Sequence, residues 1–575
     1  MNFSKRMPTA RISISLLLFV FAAPLNGQEL PQPWESITEE RLANPEAGDW
    51  VNYRRTRDVA AFSPLDQINS DNVDQLRTVW SWSVEDRNRW VPTPIVANGI
   101  MYISEGVGRV SAFNAVTGDL LWQHRRNYPQ DIGISQANNR QRGVSIFEDT
   151  IYFGTADSFL VALDARTGEK RWEVATADYR TEGGHTHPPL IINGKVLMGR
   201  TGGDYGAQGF FVALDADSGE ELWRFNTVPV NSDDTAWITW GASNSPPLGA
   251  APWNTTSYDE ELGLVYFGTG QPYPWSALLR GDGDSLYTNT ILALDIETGK
   301  RRWHYQVMPS DSWDRAAYES LLVDVEIEGR MRKALIQTSK IGWGVMLDRE
   351  TGEFLHAFET AYDNLVTGYT DEGRPILNPE LVPTVADMDS DKTFEVCPYY
   401  YGGRNLNAAS WDASRGSYFI GMNNTCMEAS FFSQDFERGK LYSGITGLAK
   451  LAPGLDYVGE FIAFDPVSGE KRWTYKDRTG SPMTASALAT AGGVVFGGTA
   501  DREFFALDSD TGERLWSTRL NGDISGAPIS FEVDGKQYIA VGAGGRIAQA
   551  FVYRRLVDTQ LPPGGGVMWV FALPN

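Results

Sequence analysis

The sequence predicts an all-β protein, an eight-bladed β-propeller with tryptophan-docking repeats. Three observations predict it. A short phrase recurs seven times along the 575 residues, a β-rich run precedes most copies, and strand-like runs at the two ends of the repeat region can join to make a further unit. Repetition at such a period is read first because it fixes the architecture.

The phrase is a hydrophobic pair, a turn-forming Asp or Asn, a glycine, and a tryptophan four residues after it. Six copies are complete: Ala112-Phe113-Asn114…Gly118…Trp122, Ala162-Leu163-Asp164…Gly168…Trp172, Ala213-Leu214-Asp215…Gly219…Trp223, Ala293-Leu294-Asp295…Gly299…Trp303, Ala463-Phe464-Asp465…Gly469…Trp473 and Ala506-Leu507-Asp508…Gly512…Trp516. A worn seventh reads Leu347-Asp348…Gly352…His356. Runs at 100–103, 151–154, 196–199, 265–268, 334–338 and 494–498 are rich in β-branched and aromatic residues, and most end in glycine. A second strand follows, then a turn that begins with Asp and uses Gly for positive φ, and the tryptophan strand comes last. The tryptophan is expected to pack between neighbouring blades. Stacked four-stranded blades leave little exposed edge. An eighth unit is expected from joining the run at 78–82 to the C-terminal run at 569–573. The stretches between Trp223 and Ala293 and between His356 and Ala463 are too long for turns and are candidate lids or site loops.

At the N-terminus, Lys5, Arg6 and Arg11 precede an apolar run at 12–23. That run is short for a bilayer span, which needs about 20 residues, and it reads as a secretory signal peptide over 1–27. Residues 28–575 then form one propeller domain, since no charged or Pro/Ser-rich linker divides the repeats. The formal charge of −23 repels nucleic acid and anionic lipid and suits a basic protein partner. Two cysteines, Cys397 and Cys426, suggest a disulfide in an exported chain. No Cys-x-x-Cys-His encodes a covalently attached haem.

Three segments carry candidate chemistry. Residues 201–206 are glycine-dense around Asp204. Residues 267–275 end a strand and place Gln271 in a tight loop. Residues 309–314 bring Asp311 and Asp314 after the Trp303 strand. Asp204, Gln271 and Asp314 offer the oxygen ligands a hard cation prefers, and a carboxylate there can serve as a base. Loop-capping carboxylates are the alternative. For Trp253 the alternative is core packing.

These segments, with the repeats, resemble the pyrroloquinoline quinone (PQQ) dependent alcohol dehydrogenases of the methanol/ethanol dehydrogenase type, over nearly the whole mature chain. The string Gly-Thr-Gly-Gln-Pro-Tyr-Pro-Trp at 268–275 and Ser-Asp-Ser-Trp-Asp at 310–314 carry the resemblance most specifically. It implies a periplasmic enzyme that oxidises an alcohol by hydride transfer to PQQ, with Asp314 as catalytic base and Asp204, Gln271 and Asp314 as metal ligands. Trp253 falls where the family stacks the quinone. Arg142, Thr186, Thr201 and Asn405 match positions that hold the tricarboxylate, with Gly202 and Gly203 beside them and Lys340 near the quinone oxygens. Cys397 and Cys426 match a family disulfide.

The sequence departs from the family pattern in several places. The family's metal glutamate is Asp204 here, and its metal asparagine is Gln271. The stretch at 134–142 lacks the adjacent cysteine pair that covers the other face of PQQ. A PQQ-binding glutamate is replaced near Val91, and a second tryptophan near the cofactor is Thr484. One pocket face is therefore remodelled, and sugars, polyols or polymeric alcohols join small alcohols as candidate substrates. Ala316 occupies the position where lanthanide users carry a second acid, which favours calcium, although Asp311 lies close by. The resemblance implies a separate cytochrome c as electron acceptor. The oligomeric state is open, a homodimer included. A reading from another class, a non-catalytic propeller platform for envelope protein assembly, shares the repeats but not the loop residues.

Overall fold

A single local geometry, repeated, builds the molecule. In each copy of the repeat an Asp or Asn side chain accepts hydrogen bonds from the backbone N–H groups that follow it, as Asp164 does from Arg166 and Thr167 at 3.0 Å each. The turn then closes through a glycine in the left-handed region, and a β-bulge shifts the register just before the tryptophan, between Lys170 and Trp172 in that copy. The bulge turns the indole toward the next blade. The glycine is needed because that indole sits on it: a Cβ on Gly168 (φ +73°) would lie 2.4 Å from the Trp122 ring, and one on Gly118 would lie 2.7 Å from Trp80. Gly219, Gly299, Gly352 and Gly512 meet Trp172, Trp223, Trp303 and Trp473 in the same way. Several indoles also donate across the blade boundary, Trp122 Nε1 to Ala165 O at 2.9 Å and Trp473 Nε1 to Ser509 O at 3.0 Å. In the worn copy His356 and Phe358 take the tryptophan's place against Gly469.

The computed structural model describes residues 30–574 apart from 86–89, 107, 133–140, 242–245, 560 and 563. The expected signal peptide therefore lies outside the described residues, as does nearly all of the stretch without the cysteine pair. Eight antiparallel sheets succeed one another: blades 1 to 7 span 95–125, 145–175, 190–226, 257–306, 321–359, 410–475 and 488–519. Blade 8 takes Ile529–Val533, Lys536–Ala543 and Val567–Ala572 from the end of the chain and Arg77–Ser83 from its beginning. Arg77 pairs with Ala572 and Ser83 with Val567, with the repeat's bulge between Thr78 and Trp80. The expected closure of the ring by its two ends is thus the observed one. Trp80 acts as the docking tryptophan of blade 8 and donates to Ala115 O of blade 1 at 3.0 Å.

The described helices are short, Glu39–Ala43, Ala277–Arg280 and Ala548–Tyr553, and none of them is long and apolar enough to cross a membrane. Between blades, the apolar faces of neighbouring sheets form continuous clusters, for example Tyr102, Val110 and Trp122 with Tyr152, Leu160 and Val161. The long insertions fold into small sheets of their own, Val366–Tyr369 with Pro375–Leu377, and Phe394–Val396 with Thr425–Ala429 and Leu448–Leu451. Cys397 and Cys426 are disulfide-bonded and tie the loop after Phe394–Val396 to its neighbouring strand.

The axis of the ring is filled by the segment before the first blade. Residues 49–63 touch six of the eight blades. Trp50 exchanges backbone hydrogen bonds with Val96, and the carbonyls of Arg57, Asp58 and Ala60 accept from Tyr258, Leu322 and Trp411 N–H. Arg57 Nη2 donates to Ile191 O at 3.0 Å. Phe62–Ser63 adds a parallel strand to Leu488–Thr490 of blade 7.

Candidate functional site

The first strand of each blade starts at one end of the axis, and the loops that lead into those strands gather there. Thr186, Trp253, Asp314, Asn405 and Thr484 each stand four to seven residues before a first strand. Asp204, Gln271 and Lys340 come from the loops that follow second strands at the same end. Local backbone demands shape these loops: Gly202 sits at φ +102°, and a Cβ there would lie 2.0 Å from Glu182 O, so only glycine allows Gly203–Tyr205 to form its 3-10 turn with Asp204 inside.

Two polar pairs lie at the centre. Gln271 Nε2 donates to Asp204 Oδ1 at 2.5 Å. Lys340 Nζ donates to Asp314 Oδ2 at 2.7 Å, with both residues 5% exposed or less. Burial raises the Asp314 carboxyl well above its ordinary range, Lys340 pulls it back, and the Asp204 charge raises it again. Asp314 Oδ1 is buried without a partner. Lys340 and Arg142, which read in sequence as ordinary surface charges, are both buried.

Trp253 is linked to these pairs through Gly270, where a Cβ would lie 3.3 Å from the indole Nε1. Arg142 Nη1 donates to Trp253 O at 2.8 Å, and its guanidinium lies 4.8 Å from the indole centroid. Tyr318 meets the indole edge-on at 5.2 Å. Trp253 also packs against an apolar group of Val91, Leu406, Ala500, Ile547 and Ala550. Arg142 N–H donates to Thr186 O at 3.1 Å. Thr201 Oγ1 donates to Gly184 O at 3.0 Å, and Asn405 Nδ2 reaches Tyr401 O at 3.4 Å. Asn405 lies near Lys340 because Gly403 N–H donates to Lys340 O at 3.2 Å.

Buried donors without partners cluster in this neighbourhood: Arg142 Nε, Thr186 Oγ1, Asn254 Nδ2 and Thr484 Oγ1. Leaving such groups unsatisfied costs about 1–3 kcal/mol each. Together with a tryptophan face and a buried guanidinium, they suit a flat ligand that carries several carboxylates. Two close carboxylates and an amide suit a hard cation. Among the described residues no cluster of three or more His, Cys, Asp or Glu side chains has metal-holding geometry, in keeping with a set in which the third ligand is an amide. A cavity of about 710 Å³ lies at the opposite end of the axis, lined by Arg55, Asp58, Asp259, Glu260 and Trp411 among others, and shares none of these residues.

Sequence reasoning missed three contributors. The insertion at 546–562 in blade 8 carries the helix Ala548–Tyr553 over the site. Asp523 anchors its start by accepting from Arg546 and Ile547 N–H at 2.9 and 3.0 Å, and Tyr553 packs on Tyr399 at 5.7 Å. Tyr400 stands close enough to Asp314 for the carboxylate to help raise its hydroxyl, after burial. Arg54, Glu319 and Arg404 lie buried beneath. The insertion escapes notice because blade 8 lacks the repeat phrase that would mark a gap.

The family description "PQQ: Glucose/ethanol/alcohol dehydrogenase, beta-propeller domain" matches residues 50–362 and 474–539. Quinohemoprotein alcohol dehydrogenase ADH-IIG of Pseudomonas putida is 32% identical over 94% of this chain and 78% of its own length. Quinoprotein ethanol dehydrogenase of Pseudomonas aeruginosa is 31% identical over 98% and 97%. Among solved structures, a europium-containing methanol dehydrogenase superposes with a TM-score of 0.84 at 28% identity, covering 93% of this chain and 100% of that one.

Proposed function

Since the chain belongs to the PQQ-dependent glucose/ethanol/alcohol dehydrogenase family of β-propellers, and is on that ground a quinoprotein alcohol dehydrogenase, we propose the following division of labour among its residues. Arg142, Thr186, Thr201 and Asn405, with the backbone around Gly202 and Gly203, hold the carboxylates of PQQ. Trp253 supplies the face on which the ring system rests. Asp204, Gln271 and Asp314 hold a calcium ion. Gln271 serves once its amide turns to present oxygen instead of nitrogen toward Asp204's side of the pair. When bound, PQQ supplies a carbonyl that accepts hydride, and calcium supplies Lewis acidity at that oxygen.

Asp314 takes the proton of the substrate hydroxyl. Its Oδ1 is the unpartnered buried acceptor, and its Oδ2 is fixed by Lys340 at 2.7 Å, so the carboxylate is oriented before substrate arrives. Lys340 also keeps a counter-charge beside a carboxylate that burial would otherwise neutralise. Tyr399, Tyr400, Trp275 and Tyr553 pack together near Asp314, and they give the alcohol an apolar, water-poor approach. The shorter Asp204 and the longer Gln271 compensate each other in reach. Ala316 leaves no second acid at its position and favours calcium over a lanthanide. The chain is exported to the periplasm by the signal at 1–27 and works as one domain over 28–575. A separate cytochrome c, drawn to the acidic surface, takes the electrons.

The observation that carries this reading is the convergence of the Asp204–Gln271 and Asp314–Lys340 pairs with Trp253 and Arg142 at one end of the axis. The dehydrogenase relatives also decide against a non-catalytic platform. The test is Asp314→Asn, loaded with PQQ and calcium. It should keep the bound quinone absorbance through desalting and lose about 10²–10⁴-fold in dye-linked alcohol oxidation. Wild-type turnover in that variant would remove Asp314 from its role, and a wild type that retains no quinone with either calcium or a lanthanide would remove the cofactor.

A further inference from the structure

The axial segment does more than fill a hole. Its apex is Arg54, which is 1% exposed. One of its terminal nitrogens donates to Ala409 O at 2.6 Å and Ala487 O at 2.8 Å, both at the starts of first strands and a few residues beyond Asn405 and Thr484. Its Nε and Nη1 are buried without partners. Arg404, wholly buried, donates to Thr338 Oγ1 at 3.1 Å and to Glu319 Oε2 at 2.5 Å, and its Nε is likewise unpartnered. Its guanidinium lies 5.1 Å from the Tyr318 ring, which touches Trp253. Arg142 completes the set.

The charges do not balance. Three guanidiniums, those of Arg54, Arg142 and Arg404, share this region with Glu319, which Arg404 already binds, and the adjoining Lys340, Asp314 and Asp204 bring the hub to four cations and three carboxylates. Among the described residues Arg54 and Arg142 have no ion-pair partner, only neutral oxygens. The histidines nearby do not offset this, since burial pushes His185 down to about 4 and His187 to about 3, and neither carries a negative charge. Unpaired buried charge is expensive, and a folded hub with a surplus positive charge and two guanidiniums lacking a carboxylate partner is stabilised by an anionic ligand.

We propose that Arg54 is a positioning residue for the cofactor: with Arg404 and Glu319 it forms a net-cationic floor on the axis that raises affinity for the tricarboxylate held by Arg142. The inference rests on the quinoprotein reading above. The floor acts by charge through the Arg142–Trp253–Tyr318–Arg404 contacts, and it explains why a segment otherwise devoted to filling the axis ends its rise on an arginine.

The test uses the full-length protein without cofactor, titrated with PQQ in the presence of calcium and followed by quenching of tryptophan fluorescence. Thermal melting before titration is followed by circular dichroism. Arg54→Gln keeps a donor for the two carbonyls and removes the charge; Arg54→Lys keeps the charge. Arg54→Gln should bind PQQ about tenfold or more weakly, which is about 1.4 kcal/mol or more, while Arg54→Lys should bind within about threefold of wild type, which is about 0.65 kcal/mol on the same scale. Added salt should leave the difference in place, because buried charges are little screened. Equal affinity of Arg54→Gln and wild type overturns the proposal. So does a parallel loss in both variants that follows their melting temperatures, the pattern of a purely structural tie. A wild type that takes up no PQQ overturns the quinoprotein reading together with this one, and is recognised before any variant is compared.

Discussion

Replacing Gly168 by alanine tests the blade-docking geometry most directly. The added Cβ would lie 2.4, 2.7 and 3.0 Å from three atoms of the Trp122 ring, and the backbone there has φ +73°. Two costs follow. An L-residue in the left-handed region loses about 1–2 kcal/mol, and forcing a methyl into a packed contact loses about 1–3 kcal/mol more. Gly194 separates the two. It has φ +68°, and nothing lies within 4 Å of its Cβ position, so Gly194→Ala should show the backbone cost alone. The excess at Gly168 should vanish when the ring is removed. Trp122→Ala is itself costly, about 3–5 kcal/mol. It leaves the Ala165 carbonyl satisfied, because Tyr102 OH also donates to it at 3.1 Å. Urea unfolding of the two glycine variants, and of Gly168→Ala in the Trp122→Ala background, should return a coupling of about 1–3 kcal/mol between Gly168 and Trp122. If Gly168→Ala and Gly194→Ala cost the same, or if the Gly168 cost is unchanged without the indole, the account of the repeat is wrong.

Acid should destabilise the fold before the carboxylates titrate. All five histidines are pushed down by burial, His185 and His304 to about 4 and His187 to about 3, with His124 and His356 also lowered. With folded values below the unfolded one, the unfolded chain binds more protons as pH falls through about 6.5, and stability drops from there down toward the folded values. His185 and His187 alone should give a slope of about 2 kcal/mol per pH unit between about pH 6 and pH 5. A flat unfolding free energy from about pH 7 to pH 5 would contradict this. Removing the disulfide by Cys426→Ser should cost about 3.5 kcal/mol, the loop-closure value for a separation of 29 residues. A melting temperature insensitive to both this change and reductant would show that the loop carrying Tyr399 and Asn405 is held by its packing instead. The Asp314→Asn variant described above should separate cofactor retention from turnover.

The ring was legible because its docking contact imposes a fixed spacing: an indole must sit on a glycine four residues upstream of the next indole. Where the contact is rebuilt from His356 and Phe358, the spacing survives and the residue does not. Blade 8 was legible only as two loose strands, since its sheet is assembled from both ends and its docking residue, Trp80, has no phrase around it. The site residues were visible one at a time, through loop strings whose likeness to a known family gave them roles; composition alone left Asp204 and Asp314 open as turn caps. Arg54 was invisible. A buried arginine and a solvated one are the same letter, and what buries this one is the arrival of Ala409 and Ala487, more than three hundred residues later.

The clasp of blade 8 has a consequence for synthesis. The strand Arg77–Ser83 leaves the ribosome early and finds its partner, Val567–Ala572, only after nearly five hundred further residues have been made. Until then the eighth sheet lacks one of its strands and the ring stands as an open arc. Closure of the ring is thereby reserved for a chain that carries both strands, and its folding turns on whether these two distant segments have met.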